Sequence, residues 1–202
     1  MSITHLFFDI GGVLGTNAWD HEQRGMAFAH FGLDPVEFED RHKEIAGSLE
    51  TGRATLDEYL TTTVFYRPRA FTASDFRAFM FALSAPYPPT IEIARALAGA
   101  GRWRLATLNN ESTELNVFRL RHFGLTEVFT AFYSSCWLGV QKPSRQIFDM
   151  ALAISQADAT SSVFIDDRTR NLDTARALGM QTVHYIDADQ LRAELTAFDV
   201  TL

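Results

Sequence analysis

The sequence predicts an α/β fold: a parallel sheet flanked by helices, with a small all-helical insertion after the first strand. Three observations lead there. Five short apolar or β-branched runs alternate with helical patterns along most of the chain, and such alternation favours a parallel sheet covered by helices. The first run ends on an acid, Asp9, and opens into Gly11-Gly12, which reads as a buried strand entering a tight loop. From Asn17 to Pro88 the periodicity is helical throughout, with no convincing strand. A chain of 202 residues has room for one core with a modest insertion.

Strands are expected at Ile3–Phe8, Arg102–Leu108, Ala131–Ser134, Val163–Ile165 and Gln181–Ile186. Within the insertion, Asp34-Pro35-Val36-Glu37 and Thr55-Leu56-Asp57-Glu58 each join a capping residue to an acid three positions later, the signature of a helix start. Tyr87-Pro88-Pro89 ends that segment, because proline cannot sit in a helix interior. The expected division is 1–16 with 89–202 for the α/β core and 17–88 for the insertion. Beyond it, Thr90–Gly99 reads as an amphipathic helix closing on glycine. Helices near Leu115–Phe123 and Leu172–Leu178 stop just before Gly124 and Gly179, as helix ends do. Asp187 with Gln190 opens the last helix as a capping box. The phenylalanines between Phe28 and Phe81 read as helical core.

Composition narrows the function classes. Lys and Arg number 18 against 25 Asp and Glu, a net charge of −7. No basic stripe stands out, so binding of nucleic acid through phosphate neutralisation is not expected. The single cysteine, Cys136, has no internal disulfide partner and no zinc-type spacing, which suits a reducing compartment. No run approaches the ~18 apolar residues of a membrane span, and the first residues lack a secretion signal. A cytoplasmic protein is expected, with no membrane partner.

Four segments fall at or just beyond expected strand ends, where open parallel sheets place their ligands. They are Phe8–Leu14, Leu108–Glu111, Gln141-Lys142-Pro143, and Ile165–Arg168 with Asn171. Asp9, Asp166 and Asp167 would repel one another unless a cation joined them, and hard oxygen ligands point to Mg²⁺. Lys142 adds a mobile positive charge. Asn109, Asn110 and the N–H groups of the glycine loop supply donors for an anion. Taken singly, a strand-end Asp is a turn residue and Asp166-Asp167 a helix-start acid pair. Only the combination points to chemistry. The six histidines show no metal-ligand spacing, and Trp103, Trp137 and Cys136 read as packing residues.

These motifs, in this order, resemble the haloacid dehalogenase (HAD) superfamily, mostly Mg²⁺-dependent phosphatases with an aspartate nucleophile. Glu50-Thr51-Gly52-Arg53 and the stretch Ser134–Pro143 are similar to its helical-cap subgroup. The resemblance implies a Rossmann-like core, a helical cap, and hydrolysis of a small organic phosphomonoester. Asp9 would attack phosphorus and form an aspartyl-phosphate, splitting one hard displacement into two easier ones. Asp9, Asp167 and the Gly11 carbonyl would bind Mg²⁺, with Asp166 supporting these ligands from behind or acting through a water. Asn109, Asn110 and Lys142, with Gly11 and Gly12, would hold the phosphoryl oxygens. Asn171 would orient the loop around Asp167.

The chain departs from the family pattern twice. Gly11 stands where the family carries a second acid, which protonates the leaving group and later activates water. Asn109 replaces a hydroxyl residue. General acid–base catalysis is worth about 10²–10⁴-fold, so poor leaving groups should suffer most unless a group near Asn17, Asp20, His21 or Glu22 substitutes. Two other readings accommodate Gly11. One is a metal-independent dehalogenase in which Asp9 attacks carbon; the other is a catalytically impaired protein that binds a phosphorylated ligand.

Overall fold

Residues 2–201 are described by the computed structural model. Five strands, β1 (His5–Phe8), β2 (Arg104–Asn109), β3 (Ala131–Ser134), β4 (Ser162–Asp166) and β5 (Gln181–His184), form one sheet in the order β3-β2-β1-β4-β5. Every pairing is parallel, with His5 opposite both Arg104 and Ser162. β1 therefore lies at the centre, and its near-continuous apolar run follows from burial on both faces. Strand side chains alternate between faces. Leu6, Phe8, Val163 and Ile165 enter one apolar cluster, whereas Phe7, Ala106, Leu108 and Phe164 enter another. Phe7, Phe8 and Phe164 are fully buried, each contributing roughly 1.5–3 kcal/mol of transfer free energy.

Four helices, α1 (His21–Phe31), α2 (Pro35–Glu50), α3 (Leu56–Thr63) and α4 (Ala73–Ala82), fill the interval between β1 and the rest of the core. Their starts are chemically specified. The Asp34 carboxylate accepts the Glu37 N–H, and Thr55 with Glu58 closes a reciprocal capping box. Thr72 with Asp75 forms a second box that the sequence reading passed over. The four helices share an apolar cluster that includes Trp19, Phe28, Phe38, Tyr59 and Phe76, with Trp19 edge-on to Phe38 and Phe76. The Phe-rich stretch is thus helical core.

The chain re-enters the sheet layers through α5 (Pro88–Ala100), followed in order by α6 (Thr113–His122), α7 (Ser135–Leu138), α8 (Arg145–Ser155), α9 (Thr169–Ala177) and α10 (Ala188–Ala197). Residues of α5, α6 and α10 pack on the face bearing Leu6 and Phe8, and residues of α8 and α9 on the face bearing Phe7. The prolines differ from expectation in what they do. Pro88 opens α5, since the first helical position needs no N–H donor. The cap of α5 is Gly101, at φ 65°, rather than Gly99, which lies within the helix. Gln190 also departs from a full capping box: its side-chain carbonyl accepts the Ile186 N–H, while Asp187 accepts the Gln190 N–H. No helix among the described residues is long and apolar enough to cross a membrane.

Candidate active site

Parallel register brings Asp9, just past β1, level with the carboxyl ends of β2 and β4. Its N–H donates to the Ile165 carbonyl at 2.9 Å, which extends the ladder one residue into the loop. The chain then turns sharply: the N–H groups of Leu14 and Gly15 both donate to the Ile10 carbonyl, and Gly12 N–H donates to the Gly15 carbonyl. Gly12 adopts φ 75°, and a Cβ there would run into the Asp167 carboxylate. Glycine at this position lets two motif loops touch.

Lys142 is buried and bonds two carboxylates at once. Its Nζ lies 2.7 Å from Asp166 Oδ2 and 3.0 Å from Asp9 Oδ2. Asp166, fully buried at the end of β4, also accepts Asn171 Nδ2 and the Arg168 N–H. Burial acts to lower the Lys142 pKa, but Asp166 and Asp9 overcome it and raise the value, so the ammonium stays charged. Asp9 is pushed up to about 7, first by burial and then by Asp166 and Asp167, against the pull of Lys142. Asp167 is raised as well, by burial and by Asp166.

One lysine therefore leaves this cluster short of positive charge. Asp9, Asp166 and Asp167 each offer an oxygen within 4.8 Å of the others. Asp167 Oδ1 is buried without a hydrogen-bond partner, which is costly unless a cation meets it. An all-oxygen carboxylate set fits a hard divalent ion such as Mg²⁺.

Several expected site residues have other work. Asn109, buried at the end of β2, donates to Asn116 Oδ1 and accepts from Ser134 Oγ, and Asn116 in turn donates to Ser134. This closed triad ties β2, α6 and β3 and leaves the Asn109 amide no place in the cleft. Asn110 does border the cleft, but its amide bonds both the N–H and the carbonyl of Lys142, at 2.8 and 2.9 Å. It holds the lysine loop with its amide oxygen and one of its two amide N–H donors. The Gly12 N–H is likewise taken by Gly15. The spacing of Asn116 and Ser134 carried no sign of that triad, because one lies mid-helix and the other ends a strand.

Above these residues opens a cleft of about 430 Å³, lined from the sheet side by Asp9, Gly11, Lys142 and Asn171 and from the helical side by Trp19, Arg24, His42 and Glu50. Of the residues considered as replacements for the missing acid, Asp20 accepts the Gln23 N–H as the cap of α1. His21 is largely exposed and lies 3.6 Å from Glu39. Glu22 is exposed and outside the cleft lining. Asn17 places its amide oxygen 3.3 Å from where a Gly11 Cβ would stand. His42, which the sequence reading set aside, lines the cleft and bonds Tyr59 Oη at 2.8 Å. Burial, with Arg24 nearby, pushes it down to about 4, so it is neutral at physiological pH.

The sequence profile of the haloacid dehalogenase-like hydrolases matches residues 3–179. The chain belongs to that family. Among relatives of this HAD-like hydrolase, a sesquiterpene phosphatase of Aspergillus oryzae is 21% identical over 181 residues, covering 89% of this chain and 78% of that protein. Bifunctional epoxide hydrolase 2 of Rattus norvegicus is 28% identical over 131 residues, covering 63% of this chain. The match spans only 24% of the rat protein. Among solved structures, a predicted HAD-like family hydrolase from Porphyromonas gingivalis aligns over 100% of both chains with a TM-score of 0.80 at 22% identity. A HAD family enzyme of Bacteroides thetaiotaomicron, in complex with magnesium and inorganic phosphate, aligns with a TM-score of 0.75 at 20% identity, over 90% of this chain and 93% of that one. At these identities the structural likeness speaks to the HAD fold.

Proposed function

We propose that this HAD-like hydrolase is an Mg²⁺-dependent phosphatase of small organic phosphomonoesters, with Asp9 as nucleophile. The observation that carries the reading is Lys142 bridging Asp9 and Asp166 beside the unpartnered Asp167 oxygen. Three clustered carboxylates are a liability for attack on carbon, where no cation is required, and an asset for phosphoryl transfer, where a cation stabilises the transferring charge. Asp9, Asp167 and the Gly11 carbonyl would hold Mg²⁺, with Asp166 contributing through a water. When bound, the ion neutralises charge on the phosphoryl oxygens and screens the carboxylates from one another.

The chain's own residues do the rest. Asp9 Oδ1 accepts the Ile10 N–H at 2.8 Å and Oδ2 faces Lys142, so the carboxylate is fixed in orientation before substrate arrives. It attacks phosphorus to give an aspartyl-phosphate, which water then hydrolyses. Lys142 neutralises the incoming phosphoryl group. Asn110 holds the Lys142 backbone and Asn171 holds Asp166. Residues 17–88 act as the cap, closing on the cleft, excluding water and selecting the leaving group. A cleft of about 430 Å³ suits a small organic phosphate, and relatives named as a phosphatase and as a magnesium–phosphate complex agree with the chemistry. The test is release of phosphate from p-nitrophenyl phosphate with Mg²⁺. Turnover should vanish with EDTA and fall at least about 10³-fold in Asp9→Asn, in keeping with loss of a covalent nucleophile. Turnover that survives EDTA, or that Asp9→Asn leaves intact, would refute the proposal.

A further inference from the structure

The cleft contains one acidic side chain from the helical segment that no structural contact explains: Glu50, the last residue of α2. Its main chain is fixed. Ser135 Oγ donates to the Glu50 carbonyl at 2.5 Å and accepts the Glu111 N–H at 3.0 Å, which ties the end of α2 to the loop beyond β2. Two residues on, Gly52 at φ 69° lies so close to the Cys136 carbonyl that no side chain would fit. Among the described residues, the Glu50 carboxylate enters no ion pair within 4 Å. Of the other carboxyl and imidazole groups bordering the cleft outside the Asp9 cluster, Asp20 caps α1, Glu111 pairs with Arg119 at 3.2 Å, His42 bonds Tyr59, and His21 stands largely exposed 3.6 Å from Glu39.

We infer that Glu50 is the general acid and base of the reaction, supplying from the helical segment the proton function that Gly11 cannot. This rests on the phosphatase reading above. When Asp9 Oδ attacks phosphorus, the bond from phosphorus to the leaving oxygen breaks and that oxygen takes the Glu50 proton, so the product departs as a neutral alcohol. The resulting Glu50 carboxylate then removes a proton from water. The water oxygen bonds to phosphorus, the bond from phosphorus to Asp9 breaks, and inorganic phosphate leaves with Glu50 protonated again.

The surroundings of Glu50 shift its carboxyl in the direction that suits a general acid. Burial raises its pKa first and the nearby Glu111 second, outweighing Arg168, Arg24 and Arg170. A carboxylate at a helix C-terminus also meets the negative end of the dipole. Arg168 and Arg170, exposed at the start of α9, limit the rise.

Aryl phosphates of similar shape and different leaving ability test this. In Glu50→Gln with Mg²⁺, kcat/KM for phenyl phosphate should fall about 10²-fold or more, the ordinary yield of general acid catalysis, with the fall for p-nitrophenyl phosphate within about threefold of wild type. Rapid mixing with p-nitrophenyl phosphate should show a burst of about one equivalent of p-nitrophenol, because aspartyl-phosphate accumulates without its base. Glu50→Gln/Gly11→Asp should recover phenyl phosphate turnover, which mere misfolding at position 50 would not permit. Equal losses on both esters, no loss on either, or no recovery in the double variant would overturn the assignment of Glu50 alone. Wild-type protein inert on both esters would overturn the phosphatase reading and this inference with it.

Discussion

Two adjacent glycines make opposite demands on the site. Gly12 sits in the left-handed region against the Asp167 carboxylate, whereas Gly11 lies outside that region and a Cβ there would meet only Asn17 and the Ala18 backbone, at 3.3 Å or more. The missing acid is therefore a chemical absence that the backbone does not require. Gly12→Ala should cost about 2 kcal/mol or more, from the left-handed strain of an L-residue plus displacement of Asp167; Gly11→Ala should stay within about 1 kcal/mol. Urea melts of the two variants check this, and equal costs would contradict it. At this scale the sequence was half legible. Asp9, Lys142, Asp166, Asp167 and Asn171 converge as their strand-end positions implied. Asn109 does not join them, because its choice of partners depends on Asn116 and Ser134, which only the packed fold places beside it.

Among elements, the tie between α6 and the loops after β1 and β2 rests on a buried ion pair. Arg119 on α6 donates to Glu111 in the loop after β2 and to the Thr16 carbonyl beyond β1, and both charged groups are nearly inaccessible. Removing one partner leaves the other charge buried alone, so Arg119→Ala should destabilise by about 3–5 kcal/mol. Glu111→Gln in the same chain should return part of that loss, as a double-mutant cycle in urea would measure; a purely additive second loss would show that the pair is not coupled. Element types and most helix starts were readable, since capping residues and terminal glycines act locally. The reciprocal box at Thr55–Glu58 formed as read. Boundaries drifted where a local signal had two meanings, as at Pro88, which is forbidden inside a helix yet well suited to begin one.

For the molecule as a whole, the acidic cluster couples stability to pH and, through the proposed ion, would couple it to metal. Asp9 is held at about 7 when folded against 3.8 as the ordinary value, so between those pH values the folded state binds more protons than the unfolded state. Metal-free stability from this group is then largest at low pH and declines as pH rises through about 7. A divalent ion held as proposed by the deprotonated cluster would oppose that decline. The rise in Tm caused by saturating Mg²⁺ should be larger at pH 8 than at pH 5.5, and thermal scans with and without EDTA measure it; an equal or smaller rise at pH 8 would argue against metal binding by these carboxylates. The strand order also has a bearing on biosynthesis. β1 sits at the centre, yet one of its two neighbours, β4, joins it across 157 residues, the same span as the contact between Thr4 and Ser161. Closing so long a loop comes late, and non-local parallel pairing is slow. Asp9 precedes Asp166 by the same 157 residues and must wait for it and for Asp167. A nascent chain bearing Asp9 is accordingly without the complete carboxylate cluster until β4 and the loop beyond it have been translated.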